Sequence, residues 1–136
     1  MNMTSEQAQA RVPVTILRLS GDVDGSNYRA VIDQAKTLYQ QGTRDLLIDL
    51  GGVAYTSSAG LVALHNVALL FNALEPPDPE QGWRALRAVT DAGEAGPQSH
   101  VKLLNPQARV AGILDQTGLA AFFEIYNDQA TALASF

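Results

Sequence analysis

The sequence contains no cysteine and few basic residues, and both shortages restrict what the protein can do. Without cysteine, neither a disulfide bond nor a thiolate metal site can form. Nine lysines and arginines stand against 14 aspartates and glutamates, which gives a net charge of −5 and a pI near 4.8. Such an acidic chain lacks the basic face with which proteins bind nucleic acid or anionic lipid. We therefore expect neither a nucleic acid nor a membrane among its partners.

The sequence also lacks a long uninterrupted apolar segment. Residues 1–10 are polar, without the apolar core of a signal peptide, and we expect them to be flexible. The longest apolar run, residues 61–74, is interrupted by polar side chains and is too short to cross a bilayer comfortably. With 136 residues, of which 46% are hydrophobic, the chain suits one core. These features predict a cytoplasmic protein with one domain at residues 11–136.

Strand-like and helix-like segments alternate along the chain, which predicts an α/β fold. The predicted strands lie at residues 12–19, 46–50, 101–104 and 122–126. Helices are predicted to start near Asp24, at Ser57 or Ser58, at Asn105 and at Asp128, and Gly42 suits the end of the first. The proline- and glycine-rich residues 75–99 are predicted to form an insertion. It either packs back over the core or contacts a partner.

Two adjacent hydroxyl groups, those of Ser57 and Ser58, mark the turn at residues 56–60. They can cap backbone N–H groups at a helix start, or one can accept a phosphoryl group, because a helix N-terminus stabilises negative charge. A nucleophile elbow needs glycine where Thr56 stands. His65 lies about two turns along the same helix, so the geometry of a catalytic triad fits poorly. We expect no catalytic residue.

Two acidic residues, Asp22 and Asp24, lie in the loop before the first helix. No series of further oxygen ligands follows them, as a calcium loop would require. Gly21 does not begin the glycine pattern of a dinucleotide site. We therefore predict no bound metal ion and no cofactor.

Five segments resemble, in their order along the chain, the STAS domain family of anti-sigma factor antagonists. The segments are Leu17–Asp24, Leu46–Val53, Ser57–Leu61, Val101–Pro106 and Val110–Phe123. The first ends in the residues Gly-Asp-Val-Asp, similar to the family's G-x-[LV]-D, and the last contains Thr-Gly-Leu from the family's closing motif. The resemblance implies a four- to five-stranded mixed sheet with helices packed mainly on one side.

The resemblance also implies a function, that of a protein-binding switch. The unphosphorylated antagonist binds an anti-sigma factor, which has a histidine-kinase-like ATPase fold and serine kinase activity, and so releases a sigma factor. The kinase phosphorylates a serine at the start of the second helix, and a serine phosphatase resets the switch. That serine maps onto Ser58. The implied partner-binding residues are Asp22, Asp24, Ser57, Ser58, Ala59, Gly60 and Val62.

The sequence departs from the family pattern beside the phosphoacceptor. Ser57 stands where the family often has aspartate, and Ala59 follows the acceptor, so Ser57 is kept as an alternative site. A second possible function is a non-phosphorylated STAS module that scaffolds a stress-signalling or lipid-transport assembly, or binds a small ligand. The outer face of the second helix, with Val62 and Leu69, is either a partner surface or is covered by the insertion.

Overall fold

One five-stranded mixed sheet organises the part of the chain that the computed structural model describes, residues 1–72 and 97–136. Its spatial order follows the chain, β1-β2-β3-β4-β5. The strands are β1 (Asn2–Gln9), β2 (Pro13–Ser20), β3 (Leu46–Gly52), β4 (Val101–Leu104) and β5 (Ile125–Tyr126). β1 pairs antiparallel to β2, and every later pair is parallel. The predicted α/β fold with a mixed sheet is confirmed.

Helices cover both faces of this sheet, but unequally. The described helices are α1 (Tyr28–Gln40), α2 (Ser58–Phe71), α3 (Ala108–Gln116), a 3-10 turn (Leu119–Ala121) and α4 (Gln129–Ala134). α1, α2 and α3 bury their apolar sides in one large core with alternate residues of the strands, such as Leu46 and Ile48. The opposite alternation, including Ile16 and Leu47, packs under α4 in a smaller cluster. Most helical mass therefore lies on one side, as predicted.

The first ten residues correct the sequence prediction, because they are not a flexible tail. All eight residues of β1 pair with β2, from Asn2 opposite Ser20 to Gln9 opposite Pro13. β1 is an edge strand whose residues are mostly exposed, so it needs no apolar alternation. Backbone hydrogen bonds hold it, with partly buried Met3 and Ala8 packing against the cores. The polar sequence of residues 2–9 therefore gave no indication that they form a strand.

The ends of the helices agree with the predictions in one case and differ in another. At the end of α1, Gly42 has φ of +107°, and Thr43 N–H donates to Leu38 O at 3.0 Å. This is the predicted glycine cap. Asn105 has φ of +55° and lies outside α3, whose N-cap is Gln107. The prediction that Asn105 caps this helix was wrong, because the chain makes one further turn first.

The second helix is buried on most of its circumference, with only a few polar side chains among its apolar ones. Ten of its 14 residues are buried, and Val62 is only 5% exposed. Val62 therefore does not present a free side chain to a partner, which corrects the sequence prediction, while Leu69 is half-buried. The predicted insertion at residues 75–99 falls mostly outside the described residues. Among the described residues, no helix combines the length and the apolar character needed to cross a membrane.

Candidate functional site

The loop between β3 and α2 is held against the loop that follows β2. Thr56 forms an isolated parallel bridge with Val23. Val23 N–H donates to Tyr55 O at 3.1 Å, and Ser57 N–H donates to Val23 O at 2.9 Å. This parallel pairing lies beyond the carboxyl ends of β2 and β3 and is separated from their ladder by a shift in register. It places the turn that carries Asp22 and Asp24 directly beside the serine-bearing turn.

Gly60 makes this close contact possible. A Cβ atom built on Gly60 would collide with Thr56 Oγ1 and lie 3.0 Å from Val23 Cγ1. The first turn of α2 therefore rests directly on the bridge between Val23 and Thr56. A glycine inside a helix normally costs stability, and here the backbone approach accounts for it.

The two adjacent serines occupy different environments. Ser57 is the N-cap of α2, with extended backbone (φ −84°, ψ 176°), yet its side chain makes no capping hydrogen bond. Its Oγ is buried and has no hydrogen-bond partner among the described residues. Ser58 is the first helical residue and is exposed. Ser58 is therefore more accessible from solvent than the Ser57 hydroxyl.

The helix start around Ser58 is suited to negative charge. The first N–H groups of a helix have no intrahelical acceptor, and the helix dipole adds partial positive charge there. No acidic residue lies in the first turn of α2. An anionic group on Ser58 would therefore meet no repulsion from its own turn.

The acidic turn beside the serines is internally braced. The Asp24 carboxylate accepts hydrogen bonds from Ser26 Oγ at 2.5 Å and from Ser26 N–H at 2.9 Å, and these bonds lower the pKa of Asp24. Asn27 Nδ2 donates to Asp22 O at 2.9 Å, and Asp24 N–H donates to Asn27 Oδ1 at 2.9 Å. The carboxylate thus closes its own turn and does not cap α1. Asp22 is exposed.

The other side of the serine loop carries residues that the sequence did not single out. Tyr55 is 36% exposed, and the Arg109 guanidinium carbon lies 5.0 Å from the centre of its ring. Gln107 Nε2 donates to Gly51 O at 2.8 Å, which ties the start of α3 to the end of β3. No sequence signal marked Arg109, because about fifty residues separate it from the loop and only the parallel pairing of β3 with β4 unites them.

A small apolar cavity lies under this loop. Its lining includes Val23, Gly60 and Leu64, and its volume of about 10 Å³ is enough for one water at most. This part of the site is therefore closed to a small organic ligand. Among the described residues, no group of three or more histidine, aspartate or glutamate side chains is arranged to hold a metal ion.

The two histidines are not placed for a serine hydrolase. His65 is 2% exposed, packs edge-on against Phe122 with ring centres 5.4 Å apart, and has no hydrogen-bond partner in the described part of the chain. His100 Nδ1 lies 3.2 Å from Asp45 Oδ1, just before β4 and β3 begin, at the opposite end of the sheet from Ser58. Within residues 1–72 and 97–136, no serine–histidine–carboxylate triad is assembled at the loop.

Fold and site together define a mixed-sheet α/β domain that presents an exposed serine in the first turn of its second helix. A family model described as "Mlab, STAS domain" matches residues 6–74, about half of the chain. The protein therefore belongs to the STAS domain family. No curated protein sequence matches this chain.

Solved structures of anti-sigma factor antagonists share the fold. One from Mycobacterium paratuberculosis is 18% identical, with a TM-score of 0.66 over 98% of this chain and 93% of that one. Unphosphorylated SpoIIAA is 15% identical, with a TM-score of 0.59 over 96% of this chain and 92% of the other. The phosphorylated Bacillus SpoIIAA is also 15% identical, with a TM-score of 0.53 over 96% of each chain. At these identities the likeness establishes the common fold.

Proposed function

We propose that the protein is an anti-sigma factor antagonist whose binding is controlled by phosphorylation of Ser58. In its unphosphorylated form it binds an anti-sigma factor with a histidine-kinase-like ATPase fold, and so frees a sigma factor. The observation that carries the proposal is the placement of Ser58, exposed at the start of α2 in a STAS domain, on a loop bonded to the Asp22–Asp24 turn. Solved antagonists with this fold, one of them phosphorylated, support it.

The local structure explains how phosphorylation would act. The kinase transfers the γ-phosphoryl group of ATP to Ser58 Oγ, so that an O–P bond forms, the bond to ADP breaks and the hydroxyl proton leaves. The product carries about −1.5 to −2 charges at neutral pH. The free N–H groups of α2 tolerate that charge. In a protein interface it would repel acidic groups and carry a desolvation cost, so binding is lost while the fold is kept.

The contact surface we propose is formed by the two loops at the start of α2. Asp22 and Ser58 are exposed, Asp24, Ser57 and Ala59 are half-buried, and Gly60 lies buried beneath them. Gly60 acts by fixing the loop. Val62 is not included in the proposed contact surface, because its side chain is buried.

The experiment incubates the purified protein with the anti-sigma factor kinase of the same organism and ATP. We expect mass spectrometry to locate one phosphoryl group on Ser58, and a serine phosphatase to remove it. Ser58→Ala should abolish the modification, whereas Ser57→Ala, the matched control, should keep it because Ser57 Oγ is buried. Ser58→Asp should weaken kinase binding in calorimetry at least tenfold. Modification of Ser57 instead, or full binding by Ser58→Asp, would refute the switch.

A second function is favoured by Ser57. This residue stands where the family often has an aspartate before the phosphoacceptor. Its presence suits a STAS module that binds its partner without being phosphorylated, such as one that scaffolds a lipid-transport assembly. A pull-down distinguishes the two functions, since recovery of a transporter ATPase rather than a kinase would favour the second.

A further inference from the structure

The arginine beside the serine loop stacks on an aromatic ring and pairs with no carboxylate of the described residues. Arg109 is exposed and is the second residue of α3, where the helix dipole disfavours a cation. Across residues 1–72 and 97–136, no carboxylate forms an ion pair with it. Its recorded contact is with the face of Tyr55, at 5.0 Å. The Tyr55 ring therefore fixes the position of the guanidinium, and its N–H groups can still donate hydrogen bonds to a ligand.

The guanidinium contacts the same loop that leads into the proposed phosphoacceptor, at a residue three positions before it. Tyr55 lies three residues before Ser58, so their Cα atoms are at most about 11 Å apart. Backbone bonds to Val23 hold both Tyr55 and Ser57 in place. Gln107, two residues before Arg109, is bonded to Gly51 at the end of β3, just before the same loop. The arginine and the serine thus share the rim at the carboxyl ends of the parallel strands.

We propose that Arg109 is the counter-ion of the phosphoryl group on Ser58. This inference rests on the proposed function, and it names the residue that responds to the modification. A guanidinium donates two parallel hydrogen bonds to phosphate oxygens, which a lysine cannot do. On the opposite side of the loop, Asp22 and Asp24 repel the phosphate. Arg109 therefore attracts the phosphate away from the acidic turn and stabilises its doubly negative form.

The test places phosphoserine at position 58 during synthesis and follows its ionisation by ³¹P NMR. Arg109 should lower the second pKa of the phosphate, so Arg109→Gln should raise that pKa by at least about half a unit at low salt. The difference should shrink as salt is added. The matched control is Arg44→Gln, because Arg44 also stacks on a tyrosine, with its guanidinium carbon 3.8 Å from the ring centre of Tyr39, but lies at the amino end of β3. Arg44→Gln should leave the titration unchanged.

Equal titration curves for wild type and Arg109→Gln would overturn the inference, as would an equal shift in Arg44→Gln. Arg109→Lys should restore part of the effect, and Tyr55→Leu, which removes the ring but not the charge, should weaken it. Circular dichroism verifies that each variant is folded. Because the phosphoserine does not depend on a kinase, a kinase that ignores Ser58 refutes the proposed function only, and an unaltered titration refutes Arg109 only.

Discussion

The buried histidine of α2 should make the protein sensitive to mild acid. His65 is 2% exposed, and neither ring nitrogen has a hydrogen-bond partner among the described residues. Burial disfavours the charged ring and lowers its pKa from 6.5 to about 4. Between these two values the unfolded chain binds a proton that the folded protein does not. The contribution of neutral His65 to the unfolding free energy is therefore present above pH 6.5, and it is lost as the pH falls towards 4.

The size of this effect follows from proton linkage. For a pKa of 6.5 in the unfolded chain and about 4 in the folded protein, lowering the pH from 7 to 5 removes about 2 kcal/mol of unfolding free energy. That is a large fraction of the stability of a small domain. Urea denaturation at closely spaced pH values, followed by circular dichroism, measures it.

The matched variant is His65→Leu, which has a similar volume and no polar atom to leave unpaired. At pH 7 it should be as stable as the wild type or more stable, because the histidine nitrogens have no described partner to lose. Between pH 7 and 5 it should lose about 2 kcal/mol less than the wild type. His100 is present in both proteins and cancels in the comparison. Identical pH profiles for the two proteins would refute the reasoning.

The other predictions concern single substitutions in the core and in the helices. Gly60→Ala should lower the unfolding free energy, measured by urea denaturation, by about 2 kcal/mol, because the new Cβ would meet Thr56 Oγ1 and Val23. Gly112→Ala in α3 should instead raise it by about 1 kcal/mol, because a Cβ at Gly112 has no neighbouring atom within 4 Å. If both substitutions had the same sign, the steric account of Gly60 would fail. Lys102→Ala should cost about 3 kcal/mol by the same assay, since the ammonium is buried. Lys36 is exposed, so Lys36→Ala is the control. An equally small loss of unfolding free energy in both variants would contradict this prediction for Lys102.

The expected effect at Lys102 depends on how it holds α4 against the sheet. Its side chain is 2% exposed, and Nζ donates to Ser135 O at 2.8 Å and to Ser135 Oγ at 2.9 Å. The same nitrogen lies 3.2 Å from Glu124 Oε2 and 4.6 Å from the ring centre of Phe136. Truncation removes all four interactions at once. It leaves a cavity and an unpaired carbonyl, which is why a surface lysine is the proper comparison.

Local chemistry let the sequence predict most of the fold. Apolar spacing located α1 and β3, and the requirement for positive φ located Gly42. β1 was missed because an edge strand is held by backbone pairing that leaves no periodicity in the side chains. Asn105 was misplaced because a good capping residue can also adopt positive φ in a preceding turn.

The candidate site was predictable only where it is continuous in sequence. The serine turn and the acidic turn were both identified, but neither their hydrogen-bonded contact nor the burial of Ser57 Oγ has a sequence signal. Val62 was predicted to be available to a partner, because the sequence of a helix that is apolar on nearly every side does not reveal which sides are covered. Arg109 joins the site through strand order alone.

The rigidity of the two loops determines what kind of switch Ser58 can be. Gly60 lets α2 rest on the Val23–Thr56 bridge, and the Asp24 carboxylate is already used by Ser26. A phosphate on Ser58 therefore finds a helix start that accepts charge and loops with little freedom to rearrange. Under the proposed function, the modification changes the charge of the surface far more than its shape. If Arg109 is also the counter-ion we infer, the charge at Ser58 lies between the acidic turn of Asp22 and this arginine, because the β3 loop lies between the loops that follow β2 and β4. A partner could then detect the change in charge without the domain unfolding.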